Sequence, residues 1–141
     1  METGLDIAKR QLRRDEGVRR FAYKDTVGCL TIGVGRNLTD NGLQPEEIEM
    51  LLVNDLREAD RVCQILFVNY LLIDPVRQAV LLELAFNVGG HRVISFLKMR
   101  ECIKNQDWPG AARELLDSKW ALQVGMRADR MAKQLETGVE Q

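Results

Sequence analysis

Behind a start signal formed by Thr3 and Asp6, the apolar residues Leu5, Ala8 and Leu12 recur at helical spacing until Gly17 interrupts the pattern. This predicts a first helix from about residue 4 to Glu16. The period then changes. Residues 21–24 and 29–34 are short β-prone runs around Asp25-Thr26-Val27-Gly28, which predicts a hairpin with a glycine-containing turn. Gly33 and Gly35 make its second strand irregular, and residues 37–43 read as a loop with a further short strand near 37–39.

Pro45, Pro75 and Pro109 each fall in the first two positions of a helical pattern, where the missing amide hydrogen costs nothing. The helix from Pro45 to about Leu66 places Ile48, Leu51, Leu52, Leu56, Ala59 and Cys63 on one face. At roughly 30 Å it is long enough to connect two lobes. Further helices are predicted at 75–88, capped by Asp74, near 95–104, begun by Ser95, at 108–117, capped by Asp107, and at 125–136. Gly89, Gly90 and Gly138 read as C-terminal caps. The fold class is α+β in a single domain over 1–141: a small sheet-containing lobe at about 17–44, a connecting helix at 45–66, and a helical lobe formed by 1–16 with 67–141.

Hydrophobic content of 45% with 29% charged residues is ordinary for a globular chain and excludes a disordered or low-complexity protein. The net charge of -1 conceals an asymmetry, because residues 1–36 carry 8 Lys and Arg against 5 Asp and Glu, whereas residues 37–75 carry 2 against 8. The basic front can face a polyanion or be a solvated helix surface, and composition leaves both open. A pI near 5.9 and the glutamate-rich long helix weigh against nucleic acid as the partner. Cys29, Cys63 and Cys102 are odd in number and widely spaced, with His91 the single histidine, so they read as core thiols of a reducing compartment. The opening METGLDIAKRQLRR has no apolar run of signal-peptide length, and no stretch approaches a membrane span. The expectation is a soluble monomer made in the cytoplasm, without membrane insertion.

Glu16 stands out because it ends a helix, where the dipole is negative and a carboxylate is disfavoured. That position and partial desolvation both favour the protonated acid, which suits a proton donor, whereas nearby arginines oppose it and a surface glutamate without a role is the alternative reading. Asp25, nine positions on, sits in a turn, where aspartate commonly serves only the neighbouring backbone. Two carboxyls in different environments nevertheless suit glycoside cleavage: one protonates the leaving oxygen while the other stays ionised and assists water. Thr31 follows on the second strand, where a water-binding hydroxyl and a plain β-branched strand residue are equally good readings.

The run D-E-G-V-R-R-F-A-Y-K-D-T-V-G-C-L-T-I-G-V-G, residues 15–35, closely resembles the phage-type lysozymes, the endolysins of the T-even phage kind in glycoside hydrolase family twenty-four. Their Glu, Asp and Thr triad falls on Glu16, Asp25 and Thr31. The segments LAFNVGG at 84–90 and SKWALQVGMRADR at 118–130 resemble that family's cleft-lining helices, so the resemblance covers nearly the whole chain. It implies substrate-binding or supporting roles for Phe86, Asn87, Trp120 and Gln123, and places Arg127 as the arginine that approaches the catalytic glutamate. Two departures are visible. Where the family commonly has a histidine paired with an aspartate, this chain has Arg36, with Asp55 as the matching acid, so an Arg36–Asp55 ion pair is expected. The loop before the long helix is also shorter than in longer members.

The resemblance implies a lysozyme-like fold and a muramidase that hydrolyses the β-1,4 bond between N-acetylmuramic acid and N-acetylglucosamine in peptidoglycan strands. It implies inversion, no cofactor or metal, and release from the host cytoplasm through holin lesions before the enzyme meets the wall. The alternatives are a lytic transglycosylase, which needs no second carboxylate for water, and an inactive wall-binding module, which would not need to retain the triad.

Overall fold

A computed structural model describes all residues from Met1 to Gln141. The chain forms two compact units, residues 1–50 and 51–141.

In the first unit, α1 (Gly4–Glu16) begins with the expected capping box: Thr3 Oγ1 accepts from the Asp6 amide at 3.2 Å, and the Asp6 carboxylate accepts from the Thr3 amide at 3.0 Å. It ends at Gly17, whose φ of +74° is open to glycine at no steric cost. Three strands follow, β1 (Arg19–Lys24), β2 (Leu30–Gly33) and β3 (Arg36–Asn37), in an antiparallel sheet of order β1-β2-β3. Thr31 lies opposite Tyr23 on one side and Asn37 on the other. The pairing of β1 is irregular between Arg19 and Tyr23, which bends the strand.

The expected strand at 37–39 is shorter than predicted. It stops at Asn37, whose side chain accepts from the Asp40 amide at 3.0 Å and caps the helical turn α2 (Leu38–Asn41). The sequence reading grouped 1–16 with 67–141; α1 falls within residues 1–50 here and buries none of its residues.

The long helix α3 spans Pro45–Leu66 as predicted. Its expected buried face is corrected, since only Ala59 and Cys63 are buried while Ile48, Leu51, Leu52 and Leu56 stay exposed. A helical period identifies a face but not how far along the helix it is covered.

The second unit holds the hydrophobic core, in which Cys63 and Phe67 meet Leu81, Leu84, Met99, Leu115 and Leu135. A 3₁₀ turn at Tyr70–Leu72 leads into α4 (Pro75–Val88), α5 (Gly90–Val93), α6 (Leu97–Lys104), α7 (Trp108–Leu116), α8 (Lys119–Val124) and α9 (Met126–Thr137). Asp74 and Asp107 cap α4 and α7 through the amides of Arg77 and Gly110, as the sequence predicts. α7 packs against α6 and α9, and α4 against α9.

Ser95 starts no helix. Its hydroxyl donates to the Arg92 carbonyl, closing the turn after α5, and α6 begins at Leu97 without a side-chain cap. Gly89 and Gly138 end helices, but Gly90 opens α5, where an added Cβ would meet Val62 at 2.9 Å. The thiols divide: burial pushes Cys63 up to about 12, as befits a core residue, whereas Cys29 and Cys102 are only half-buried. No helix is long and apolar enough to cross a membrane.

Candidate active site

Glu16, Asp25 and Thr31 are carried by three successive elements of the first unit: the last residue of α1, the turn after β1, and the central strand β2. The turn explains the placement of Asp25. Its amide donates to the Cys29 carbonyl at 2.9 Å, and its carbonyl accepts from Gly28, whose φ of +87° lets the chain reverse. Asp25 Oδ1 accepts from the amides of Val27 at 3.0 Å and Cys29 at 2.8 Å. One carboxylate oxygen is therefore fixed by the backbone, while Oδ2 accepts nothing from the protein.

Thr31 is the one buried residue of the first unit, at 4% exposure. Its hydroxyl donates to the Cys29 carbonyl at 3.1 Å. Cys29 thus links the two positions through its main chain, its N–H on Asp25 and its C=O on Thr31. Because the Thr31 proton is committed to that carbonyl, its oxygen lone pairs are free to accept from a water.

Glu16 is exposed, so the expected partial desolvation is absent from this structure. Its side chain lies against the backbone of Gly35, where a Cβ would stand 3.2 Å from Glu16 Cγ, Cδ and Oε2. Gly35 has a φ of +67°, so both its conformation and its neighbour favour glycine.

The expected Arg36–Asp55 ion pair is replaced by another. The Arg36 guanidinium engages both oxygens of Glu47, one at 2.6 Å, and also donates to the Gly42 carbonyl at 3.3 Å. Glu47 Oε2 in turn accepts from the Gln44 amide at 2.8 Å. Arg36 and that amide hold the Glu47 carboxyl down at about 2, well below its ordinary range. Asp55 lies eight residues further along α3, about 12 Å at 1.5 Å per residue, and the first helical turn reaches Arg36 instead. The missed signal was Gln44-x-x-Glu47, a capping spacing that turns a glutamate back towards the start of its helix.

The remaining expected residues lie in the second unit. Trp120 is buried and its indole N–H donates to Asn87 Oδ1 at 2.8 Å, so Asn87 holds the tryptophan while Phe86 beside it is exposed. Trp120 and Gln123 line a cavity of about 710 Å³ together with Phe96, Met99, Lys98 and Glu114. Arg127 donates to Glu83 at 3.4 Å, a long contact between half-exposed groups. No cluster of three or more His, Cys, Asp or Glu side chains is placed to hold a metal ion.

Comparison of the sequence finds related proteins. A family model described as phage lysozyme matches residues 13–135. The chain is 28% identical to "Probable T4-type lysozyme 1" of Dictyostelium discoideum and 30% identical to "Probable T4-type lysozyme 2" of the same organism, each match covering 92% of this chain and 94% of the relative. It is 31% identical to "Pre-baseplate central spike protein Gp5" of Enterobacteria phage T4, over 90% of this chain and 27% of that much longer protein.

Proposed function

From the premise that this chain belongs to the phage lysozyme family, a family of glycoside hydrolases, we propose that it cleaves the β-1,4 bond between N-acetylmuramic acid and N-acetylglucosamine in peptidoglycan. Glu16 donates its proton to the glycosidic oxygen as the bond to the anomeric carbon breaks. A water held between Asp25 Oδ2 and the Thr31 hydroxyl attacks that carbon from the opposite face, and its proton passes to Asp25. Bond cleavage leaves a reducing muramic acid end and inverts the anomeric centre. The two carboxyls then act about 6.5–9.5 Å apart, with room for the water.

The observation that carries this reading is the Cys29 peptide link. It orients one oxygen of Asp25 and the proton of Thr31, leaving a free carboxylate oxygen and a free lone pair for one water. Such preorganisation serves hydrolysis, whereas internal transglycosylation has no use for a water held this way. The enzyme works as a monomer on wall strands during lysis, without a cofactor.

Digestion of purified peptidoglycan by the wild type and by Glu16→Gln, with products identified by mass spectrometry, tests the proposal. Reducing muramic acid ends from the wild type and at least a thousandfold less release from the variant, on the order expected for loss of an essential acid, are the supporting result. Anhydro ends would shift the reaction to transglycosylation, and wall binding without release would make the chain a docking module.

A further inference from the structure

The Glu16 side chain takes part in no hydrogen bond and stands exposed at the end of a helix. Left to itself, such a side chain samples several rotamers, and a proton donor loses effectiveness with each unproductive one. The contact with Gly35 closes off one side of that motion. What holds Gly35 in place is therefore relevant to the chemistry.

Gly35 lies in the turn between β2 and β3, and the next residue is Arg36, the first of β3. The forked guanidinium of Arg36 grips both Glu47 oxygens and the Gly42 carbonyl, and Glu47 is itself held by the Gln44 amide. The turn is thereby tied to the first turn of α3. Each side chain of the pair is about one-third exposed, at 36% and 35%, and ion pairs of that kind add little to stability. A two-pronged arginine contact does fix direction, which a lysine cannot reproduce.

We propose that the Arg36–Glu47 pair is a positioning device for the proton donor, holding Gly35 where its backbone confines the Glu16 carboxyl. This rests on the reading of Glu16 as the acid. Arg36 and Glu47 touch no substrate in this scheme and act only through Gly35. The pair persists through mildly acidic conditions, because Glu47 stays ionised down to about 2.

Kinetics of Glu47→Gln and Arg36→Lys on peptidoglycan, with the Glu16 side chain labelled with carbon-13, test the inference. Both variants should lose about 10- to 100-fold in kcat with KM nearly unchanged, because misplacement of a reacting group acts on the chemical step. The Glu16 Cγ–Cδ resonances should change from the couplings of one rotamer to averaged ones. Unchanged kcat together with an unchanged rotamer would reduce the pair to a loop staple and overturn the proposal. Should Glu47→Gln fail to fold by circular dichroism, Arg36→Lys, which keeps the charge, carries the test. If the wild type releases no sugar, the acid assignment has failed, and the Glu16 rotamer in the variants alone decides whether the pair positions that side chain.

Discussion

Thr31 makes a hydrogen bond whose loss can be separated from its packing. Valine has nearly the same shape, so Thr31→Val keeps the buried volume at the centre of the sheet but leaves the Cys29 carbonyl without its 3.1 Å donor. The stability cost should be about 1 kcal/mol, the usual value for one such bond. The effect on kcat should be larger, about 100-fold or more, if the hydroxyl orients the attacking water. Thr31→Ser should retain most of both. Thermal melts read the first number and wall digestion the second; full kcat in Thr31→Val would remove the water-positioning role while leaving Asp25 and its amide donors intact.

Glu47 supplies a second prediction, on acidity. Its folded carboxyl titrates at about 2, against an ordinary value of 4.5, so the unfolded chain takes up the proton first as pH falls. The stabilising contribution is fully present above about 4.5 and is lost as pH falls towards 2. The Arg36 side-chain N–H resonance, followed from neutral pH downwards, should stay shifted and protected from exchange until below pH 4 and collapse near 2. Collapse near 4.5 would mean that the two-pronged pair does not form in solution.

Among the elements, those that the sequence predicted best are the ones marked by groups with a local physical effect. Pro45, Pro75 and Pro109 mark helix starts because the ring restricts the backbone, and Asp74 and Asp107 mark them because their carboxylates accept helix amides. Short elements without a period were missed: α2, the 3₁₀ turn, α5, and α8, whose Ser118 cap precedes only six residues. The exposed face of α3 and the partner of Arg36 escaped for another reason. Both depend on what lies across space from a residue, which a repeat along the chain does not encode. The elements carrying Glu16, Asp25 and Thr31 were legible because a helix stop, a glycine turn and a β-prone run are all local signals.

α7 offers a prediction that runs against propensity. Replacing a helical glycine by alanine ordinarily stabilises by roughly 1 kcal/mol. At Gly110, however, an added Cβ would sit 2.0 Å from Asp107 Oδ2, the carboxylate that caps the helix by accepting from the Gly110 amide at 2.9 Å. Gly110→Ala must displace that cap, so its midpoint of thermal unfolding should fall below the wild type. In an Asp107→Ala background the obstruction is gone, and the same change should become neutral or stabilising. A double-mutant cycle measures the difference, expected at about 1 kcal/mol, the worth of a cap. Simple additivity would show that the cap moves aside without cost.

At the scale of the whole chain, apolar burial is very unevenly distributed. Every buried apolar side chain, from Ala59 to Leu135, belongs to the second unit, while residues 1–50 bury Thr31 alone. Since burial of apolar surface is the main favourable term in folding, the two units should differ in local stability. The first is held by local devices instead: the capping box of α1, the hydrogen-bonded turn at Asp25, the short sheet, and the Arg36–Glu47 tie. Such devices define a conformation but do not match a packed core. Hydrogen exchange followed by mass spectrometry should therefore show amides of β1, β2 and α1 exchanging through openings well below the global unfolding free energy, while α4, α7 and α9 exchange only at it. Equal protection in the two units would show that the local devices of residues 1–50 act as one cooperative structure with the core. Lower protection has a functional consequence as well, because the three proposed catalytic groups then sit on the more easily opened unit, where placing them correctly depends on the hydrogen bonds around Cys29 and on the Arg36–Glu47 pair beside Gly35 rather than on a packed interior.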